Sequence, residues 1–578
     1  MSSIPTEAAP AAVPEDRRLS TREVWALGAL LGLALVLRTV LLAAVPPGMK
    51  VEEAQLGLRA YAQQASGGDP IAPLIGEPRG GRVLIEGVAT LIELLGTSVV
   101  SLRLAPALCG ALSVAIVFLL ARRLLGPAAA IGAGALLATS RWHLRFSREA
   151  DPAVLVPLLA LLGVVVCERY FERGSWPRAA GLAAWVGAAL LAGPELMLPA
   201  LAPLALWVAV RLLDGREPRR LRRGLLVGAA IAAVFIAAWL AKPETVGSLV
   251  GRGVRPKPEA SSADALGNQL KSYWSQQPNL ELGFAGAALL NPVQVGLLLI
   301  GAGLLLARAR RAPGRAALLI GWLALSLLPL WYPMARGPDS AASTLGALVA
   351  VVLISGVALE AASRLAARAG RLAIGLVVAV PLVASAALDT RTYFAHWAEV
   401  PEVQAEYSGD MREFAAYLRA LARDHEVYLS PFVYYAPNLR FLALGTELKL
   451  LAGPAALTFE RPPRRDPVYV VDSPVLAQMV RGLYPGAREI RSFSVYGAAR
   501  GRFLRVDRHR AVASFGSEQR AEMVRLQYRL VQELRTRYEP SIWQAMSRDP
   551  AFLKQNLLPP ALLQYPSDRP GPAPVQVQ

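Results

Sequence analysis

The chain has 578 residues, of which 54% are hydrophobic and 18% charged, and its mean hydropathy is +0.38. This composition excludes a soluble protein, because many apolar blocks approach the roughly 20 residues that cross a bilayer. The net charge of +18 is largely explained by arginines between those blocks, so it does not indicate a nucleic-acid partner.

Residues 1–24 form a Pro- and Ala-rich polar leader, which lacks the layout of a cleaved signal peptide and is predicted to be disordered. Eleven apolar blocks then predict an α-helical multi-pass membrane protein with about 11 transmembrane helices. The predicted spans are 25–45, 103–121, 127–142, 152–168, 179–193, 196–212, 224–241, 290–307, 316–332, 342–360 and 372–388.

Arginine-rich breaks occur at every second boundary between the spans. Lys and Arg in short loops stay on the cytoplasmic side, so this alternation predicts a cytoplasmic N-terminus and an extracytoplasmic C-terminus. The protein is accordingly expected in the plasma membrane. Cys109 and Cys167 lie inside predicted spans without a CxxC or metal-ligand spacing, which favours a packing role.

The membrane part, residues 25–388, is predicted to carry one long outer loop at 46–102. Residues 83–95 are too short to span, and Glu86, Thr90 and Glu93 repeat at helical spacing on an otherwise apolar segment. This pattern predicts a helix in the outer interface. A second short helix is predicted near 54–64, and a connection of this length is usually functional.

After residue 388 the chain becomes more polar. An amphipathic helix at 411–423 and strands at 427–430, 468–472 and 503–506 predict an extracytoplasmic α/β domain over 389–512. Residues 513–578 are predicted to hold a charged helix, at about 517–537, and a Pro-rich disordered tail.

Two places carry charges where charge is costly. In the first, Glu52 and Glu53 follow span one, whose outer half contains Arg38; that arginine could equally snorkel outward, and the glutamates could be solvated loop residues.

In the second place, the short outer loop within residues 141–159 holds Arg141, Arg145 and Arg148 beside Glu149 and Asp151. Arginines in an outer loop oppose the positive-inside trend. Either an anionic lipid phosphate or the neighbouring carboxylates must favour them.

These segments resemble the GT-C superfamily of polyprenyl-phosphate-sugar-dependent glycosyltransferases, specifically family 39, which contains protein O-mannosyltransferases and the lipid A aminoarabinose transferase. The resemblance covers about residues 25–212 well and the rest loosely. The strings that carry it are PPGMKVEEAQLGLRAYA, TLIELLGTSVVSLRLAPALCGALSVAIVFLLARRLLG and ATSRWHLRFSREADPAVLVPLLALLG.

The resemblance implies roles for single residues. In the family an Asp-Glu pair follows span one; Glu52 and Glu53 stand in its place, so Glu52 would be the catalytic base. Asp151 matches a second family acid, and Arg103 matches the family arginine before span two. The family's Pro-Pro-Leu segment is replaced by GEPRGGRVLIEG, which leaves Arg82 as a possible phosphate contact.

Sugar transfer from a lipid phosphate needs a carboxylate to accept a proton and cations to stabilise the leaving phosphate. Arginines alone can meet a monophosphate, so no metal or other cofactor is expected. The expected donor is a polyprenyl-phosphate sugar, and the acceptor is a protein, lipid or glycan. The expected donor-phosphate contacts are Arg82, Arg103, Arg145 and Arg148.

Two other classes stay open. A secondary transporter would also have many spans, but it usually shows repeats and charges near the midplane. A non-catalytic, lipid-binding relative fits the replacement of Asp by Glu and the lost Pro-Pro segment. An oligosaccharyltransferase is disfavoured because a Trp-Trp-Asp-Tyr-Gly signature is absent from residues 389–578.

Overall fold

The structure is a computed structural model. It describes residues 19–63, 82–173, 176–191, 194–213, 287–310, 313–327, 344–495, 499–537, 546 and 549–556. The leader at 1–18, the predicted span at 224–241 and the Pro-rich end therefore lie outside the described residues.

The first two thirds of the described chain are helical. The helices are α1 (Thr21–Thr39), α2 (Val51–Ala62), α3 (Arg82–Leu95), α4 (Val99–Leu124), α5 (Pro127–Thr139), α6 (Arg141–Ser147), α7 (Leu155–Arg173), α8 (Trp176–Leu191), α9 (Pro194–Leu213), α10 (Pro292–Ala307), α11 (Pro313–Leu327), α12 (Leu345–Ala366) and α13 (Arg371–Arg391). Ten of the eleven predicted spans coincide with one of these helices, as far as the structure describes them.

Within the described ranges, four stretches are long and apolar enough to cross a membrane by length and composition: α4, α7 with the turn before it, α12, and α13 with its continuation. The chain is thus a membrane protein, while the count of eleven spans stays a prediction. The helix that begins as α13 runs through a π turn and a 3-10 turn to Glu399. The predicted domain boundary at 388/389 therefore falls inside a continuous helical stretch.

Helix α12 lies at the centre of the membrane part and is buried over most of its length. Small residues allow its neighbours to approach closely. A Cβ on Gly301 of α10 would come within 2.0 Å of the Ile354 carbonyl oxygen of α12. Such small-residue contacts are typical of helix packing in membranes, where van der Waals contact is a main driving force.

Charged groups cap the helix ends on the face predicted to be cytoplasmic. Ser20 and Glu23 form a capping box at the start of α1, and Glu23 also accepts a hydrogen bond from Arg122 at the end of α4. At the start of α5 the Glu360 carboxylate accepts from the backbone N–H groups of Ala128 and Ala129, at 3.0 and 3.2 Å. These contacts satisfy amides that a helix leaves unpaired.

Helices α2 and α3 confirm the two short helices predicted in the outer loop. On α3 the apolar face is buried, at Leu84, Ile85, Val88, Ala89 and Ile92. Glu86, Thr90 and Glu93 are exposed, as their spacing predicted. Its position in the membrane interface stays a prediction.

The rest of the chain mixes helices and strands. The helices are α14 (Pro401–Glu406), α15 (Asp410–Asp424), α16 (Pro431–Tyr434), α17 (Pro437–Leu442), α18 (Pro474–Leu483), α19 (Ser517–Arg537) and α20 (Pro550–Lys554), and the strands are β1 (Glu426–Leu429), β2 (Leu448–Leu450), β3 (Pro467–Val471), β4 (Arg488–Val495) and β5 (Ala499–Arg505).

The five strands form one sheet in the order β2-β1-β3-β5-β4. Strand β1 pairs in parallel with β2 and β3, and β5 runs antiparallel to β3 and β4. The predicted strands correspond to β1, β3 and β5, and the predicted helices to α15 and α19. That this region is a separate domain outside the membrane stays a prediction.

Candidate functional site

Segment 40–50, between α1 and α2, is held in place through its backbone carbonyls. The Arg103 side chain, from the first turns of α4, donates to the carbonyl oxygens of Leu42 at 3.1 Å and Pro46 at 3.2 Å, and to that of Gly48. Because an irregular segment has few hydrogen bonds of its own, this side chain replaces them. The start of α2 is thereby fixed.

Arg103 also makes a bidentate ion pair with Glu53. Its Nε lies 2.7 Å from Glu53 Oε1 and its Nη2 lies 2.9 Å from Oε2. Both side chains are buried. All three nitrogens of Arg103 thus donate to protein oxygens, and Glu53 accepts a further bond from the backbone N–H of Ala150 at 3.1 Å. Two buried charges compensate each other in this way.

The two places singled out in the sequence meet in the structure. Glu53, from the first, binds the backbone of Ala150 in the second. Lys50, at the start of α2, places its Nζ 3.4 Å from Oε2 of Glu149. The start of α2, the start of α4 and the turn after α6 therefore converge on one cluster of charges.

Glu149 is buried at the middle of this cluster. It accepts a hydrogen bond from the Tyr407 hydroxyl, and Arg145 Nε lies 3.7 Å from its Oε1. Burial alone would raise the pKa of the Glu149 carboxyl, but the charges of Lys50 and Arg145 and the Tyr407 hydrogen bond hold it below its ordinary value. Glu149 is therefore an anion that orients its neighbours.

Glu52 has a different environment from Glu53, although the two are adjacent. Its side chain is exposed at the first turn of α2. Glu52 is close enough to Glu406 for their charges to interact. Residue Glu406 is exposed to solvent, but neighbouring protein atoms remove part of the hydration of its carboxylate. This desolvation raises the pKa of Glu406, and the negative charge of Glu52 raises it further.

Arg148 and Arg38 are buried and contact backbone carbonyls. Arg148 donates to Leu37 at 2.6 Å and to Val45 at 2.9 Å, and its guanidinium lies 4.9 Å from the ring centre of Phe394. Arg38 donates to carbonyls at the end of α5 and lies 2.6 Å from Nδ1 of His143.

The alternative that Arg38 snorkels outward is therefore wrong, because its guanidinium is enclosed by protein. Its contacts hold the outer end of α1 against α5 and α6.

Two predicted site residues lie at the edge of this cluster; the backbone N–H of Asp151 donates to the Glu149 carbonyl at 2.8 Å. Asp151 caps the turn Pro152–Val154, and its Oδ1 accepts from the backbone N–H of Ala153 at 2.7 Å. Arg82 is exposed at the start of α3. The catalytic role of Asp151 and the phosphate-binding roles of Arg82, Arg103, Arg145 and Arg148 stay predictions.

The cluster contains residues that the sequence did not single out, Lys50, Glu406 and Tyr407. Lys50 is separated from Glu52 by Val51 alone, and its ammonium lies 4.9 Å from the centre of the Tyr407 ring. Its distance of two residues from Glu52 was a signal that could have been used. Tyr407 is far away in the chain, and its sequence surroundings give no comparable signal.

A second buried pair anchors α6. Arg141 Nε lies 3.4 Å from Asp389 Oδ1 in α13, and Gln294 of α10 donates to Oδ2 at 2.9 Å. Both charged side chains are buried. This polar contact between three helices fixes the helix that carries Arg145.

Among the described residues, no group of three or more His, Cys, Asp or Glu side chains could hold a metal ion. The expectation that no metal is needed stays a prediction. The positive charges that contact the glutamates of the site belong to Lys50, Arg103 and Arg145.

Comparison with known proteins gives a family match over part of the chain and a shared fold over most of it. Residues 84–241 match the family described as dolichyl-phosphate-mannose-protein mannosyltransferase. No curated protein sequence matches the chain. Among solved structures, apo ArnT from Cupriavidus metallidurans is similar with a TM-score of 0.51 and 14% identity, over 86% of this chain and 100% of that chain.

Two further structures are less similar. ArnT from the same organism bound to undecaprenyl phosphate gives a TM-score of 0.48 and 16% identity over 85% of this chain and 99% of that one. An Archaeoglobus fulgidus oligosaccharyltransferase in the apo form gives 0.45 and 14% over 78% and 69%. Residues 84–241 therefore match this mannosyltransferase family by sequence, and the chain shares the fold of ArnT over most of its length.

Proposed function

We propose that the protein is an inverting glycosyltransferase that moves a hexosyl or pentosyl group from a polyprenyl-phosphate carrier to an acceptor on the outer face of the membrane. The acceptor group is a hydroxyl, an amine or a phosphate of a protein, lipid or glycan. Support for a lipid-linked donor comes from the family matched at 84–241, and from ArnT, which binds undecaprenyl phosphate.

The contrast between Glu52 and Glu53 carries the mechanism. Glu53 is buried, paired with Arg103 and bonded to Ala150, so its carboxylate is not accessible to an acceptor. Glu52 is exposed on the same helical turn, which Arg103 fixes through segment 40–50. A general base must be accessible and held in place; the Glu52 side chain is exposed, and Arg103 fixes the helical turn that carries it.

In the proposed reaction the acceptor oxygen, or the nitrogen of an amine acceptor, attacks the anomeric carbon of the sugar while the bond from that carbon to the phosphate oxygen breaks. The acceptor proton passes to Glu52, and the electron pair of the broken bond leaves on the polyprenyl phosphate. Attack from the face opposite the phosphate inverts the anomeric centre. Fixed cations stabilise the leaving anion, as in other reactions that develop negative charge.

Lys50 is the cation best placed for the phosphate. Its side chain is 10% exposed, whereas that of Arg145 is 1% exposed and that of Arg103 is fully buried. Arg145 stands behind it through the shared partner Glu149. We therefore assign phosphate contact to Lys50, supported by Arg145, with Arg82 as a further exposed candidate. Arg103 and Arg148 act through the position of segment 40–50.

The experiment begins by identifying the lipid-linked sugar that co-purifies with the protein, by mass spectrometry. Transfer of that sugar is then measured for Glu52→Gln, with undecaprenyl phosphate binding measured on the same preparation. Transfer should fall by about 10²–10⁴-fold, the usual contribution of a general base, while binding persists. Lys50→Gln should weaken binding of undecaprenyl phosphate.

Glu406→Gln is the matched control, because it neutralises an exposed carboxylate near Glu52 and leaves the proposed base intact. Its transfer rate should stay within about tenfold of the unmodified protein, below the loss expected for a general base. Near-normal transfer by Glu52→Gln would contradict the assignment. Undecaprenyl phosphate binding without any transfer by the unmodified protein would favour the non-catalytic relative.

A further inference from the structure

A cleft opens between the ends of helices on the face opposite the proposed active site. Its inner wall is apolar and includes Leu125 from the end of α4, Leu305 of α10 and Val357 of α12. Its rim is cationic and carries Arg308, Arg315 and Arg364.

The acidic residue in the cleft, Glu360, is already engaged. One oxygen accepts from the backbone N–H groups at the start of α5, and the other lies 3.1 Å from Nε of Arg364. Arg308 and Arg315 are exposed, and the described residues supply no acidic partner for either. Two positive charges at the rim are therefore uncompensated within the described part of the chain.

The arginines stand at the ends of helices, where a membrane protein meets the lipid headgroups. Arg308 follows α10, Arg315 lies in the first turn of α11, and Arg364 lies in the last turn of α12. The apolar wall begins directly behind them. A ligand for this cleft must combine an anionic head with an apolar body.

We propose that the cleft binds an anionic phospholipid, with its phosphodiester between Arg308 and Arg315 and an acyl chain against Leu305 and Val357. Guanidinium groups match the geometry of phosphate oxygens and donate two parallel hydrogen bonds. Basic pockets between membrane helices recognise such headgroups in this way. Positive-inside orientation assigns the lipid to the cytoplasmic leaflet. This site is independent of sugar transfer on the other face.

The test uses the detergent-purified full chain with phosphatidylglycerol added, and native mass spectrometry counts the lipid retained. Arg308→Gln combined with Arg315→Gln should weaken retention about thirtyfold, from the usual contribution of two arginines to anionic lipid binding. Arg308→Lys with Arg315→Lys keeps both charges, so its lipid retention should lie between that of the double Gln variant and that of the unmodified protein. Each single Gln variant should lose about fivefold, which keeps the test available if the double variant does not fold.

Arg368→Gln combined with Arg371→Gln is the matched control, because it removes the same charge from exposed positions beside α12 that do not line the cleft. Retention by this control should be unchanged. Equal loss in both double variants, or equal retention of phosphatidylcholine by the unmodified protein, would overturn the proposal. Displacement of phosphatidylglycerol by inorganic phosphate would show an anion site without a lipid, and would overturn it too.

Discussion

Arg103 and Glu53 are joined by two hydrogen bonds of 2.7 and 2.9 Å, fully within the protein and 50 residues apart in sequence. The same guanidinium binds the carbonyls of segment 40–50, so one side chain connects α4, α2 and the segment between α1 and α2. The orientation of Glu52 depends on this contact, because Glu52 directly precedes Glu53.

Loss of this pair should destabilise the protein more than loss of the proposed base. Glu53→Gln leaves Arg103 without its counter-ion in a buried position, which costs about 3–5 kcal/mol. Glu52→Gln changes an exposed side chain and should stay within about 0.5 kcal/mol. Thermal unfolding midpoints of the two variants, measured in the same detergent, check the difference. Equal midpoints would contradict the structural role of Glu53.

Gly48→Ala should displace segment 40–50. A Cβ at this position would lie 2.0 Å from the backbone oxygen of Tyr407, where neither backbone can yield easily. We expect a loss of about 1–3 kcal/mol in stability, and about a hundredfold loss in transfer, because a shift of 1 Å at a catalytic group has that effect. Both are measured on the purified variant.

Gly28→Ala is the control for that prediction, because a Cβ at Gly28 of α1 would meet nothing within 4 Å. Its stability and transfer should match those of the unmodified protein. Normal transfer by Gly48→Ala would show that the segment can move without harm to the site.

The contribution of Glu149 to stability should depend on pH. The pKa of its carboxyl is lowered in the folded protein from the ordinary 4.5. The ionised form is therefore favoured by folding, so its contribution is present above pH 4.5 and is lost as the pH falls through the folded pKa. Glu149→Gln should destabilise at neutral pH, with a difference from the unmodified protein that shrinks in acid.

Chemical denaturation of both proteins, at neutral pH and at successively lower values below 4.5, measures that difference. A difference that grows as the pH falls would contradict the assignment, because it would mean that the folded protein favours the protonated carboxyl.

Helix α3 should be accessible from outside the cell. Cysteines at Glu86 and Glu93, which are both exposed, are introduced into a variant that lacks Cys109 and Cys167. Both should react with a membrane-impermeant thiol reagent added to intact cells. Arg368→Cys in the same background is the control on the opposite predicted face and should react only after permeabilisation. The reverse pattern would invert the topology.

The sequence predicted the helices well, because apolar runs bounded by charges leave little choice in a bilayer. The strands at 427, 468 and 503 were predicted for a similar reason, since short β-branched and aromatic runs favour strands. Strand β4 was missed: the run REIRSFSV is polar, and its pairing with β5 decides its conformation. Strand β2 has only three residues.

The candidate site was predicted in part. Local charge singled out Glu52, Glu53 and Glu149, and in the loop after α5 Arg145 forms an ion pair with the neighbouring carboxylate of Glu149. The hydrogen bond from Tyr407 to Glu149 joins residues 258 apart, and a single sequence gives no sign of such a pairing. The Arg141–Asp389 pair was missed for the same reason.

The backbone N–H of Met49 donates to the Tyr407 carbonyl at 2.5 Å, and Arg412 donates to the Ala43 carbonyl at 2.6 Å across 369 residues of sequence. In a chimera whose residues after α13 come from a relative, one partner of each contact would come from that relative. Segment 40–50 would have to be exchanged with it. In any recombination between related genes, segment 40–50 and the stretch that contains Tyr407 and Arg412 must therefore come from the same parent.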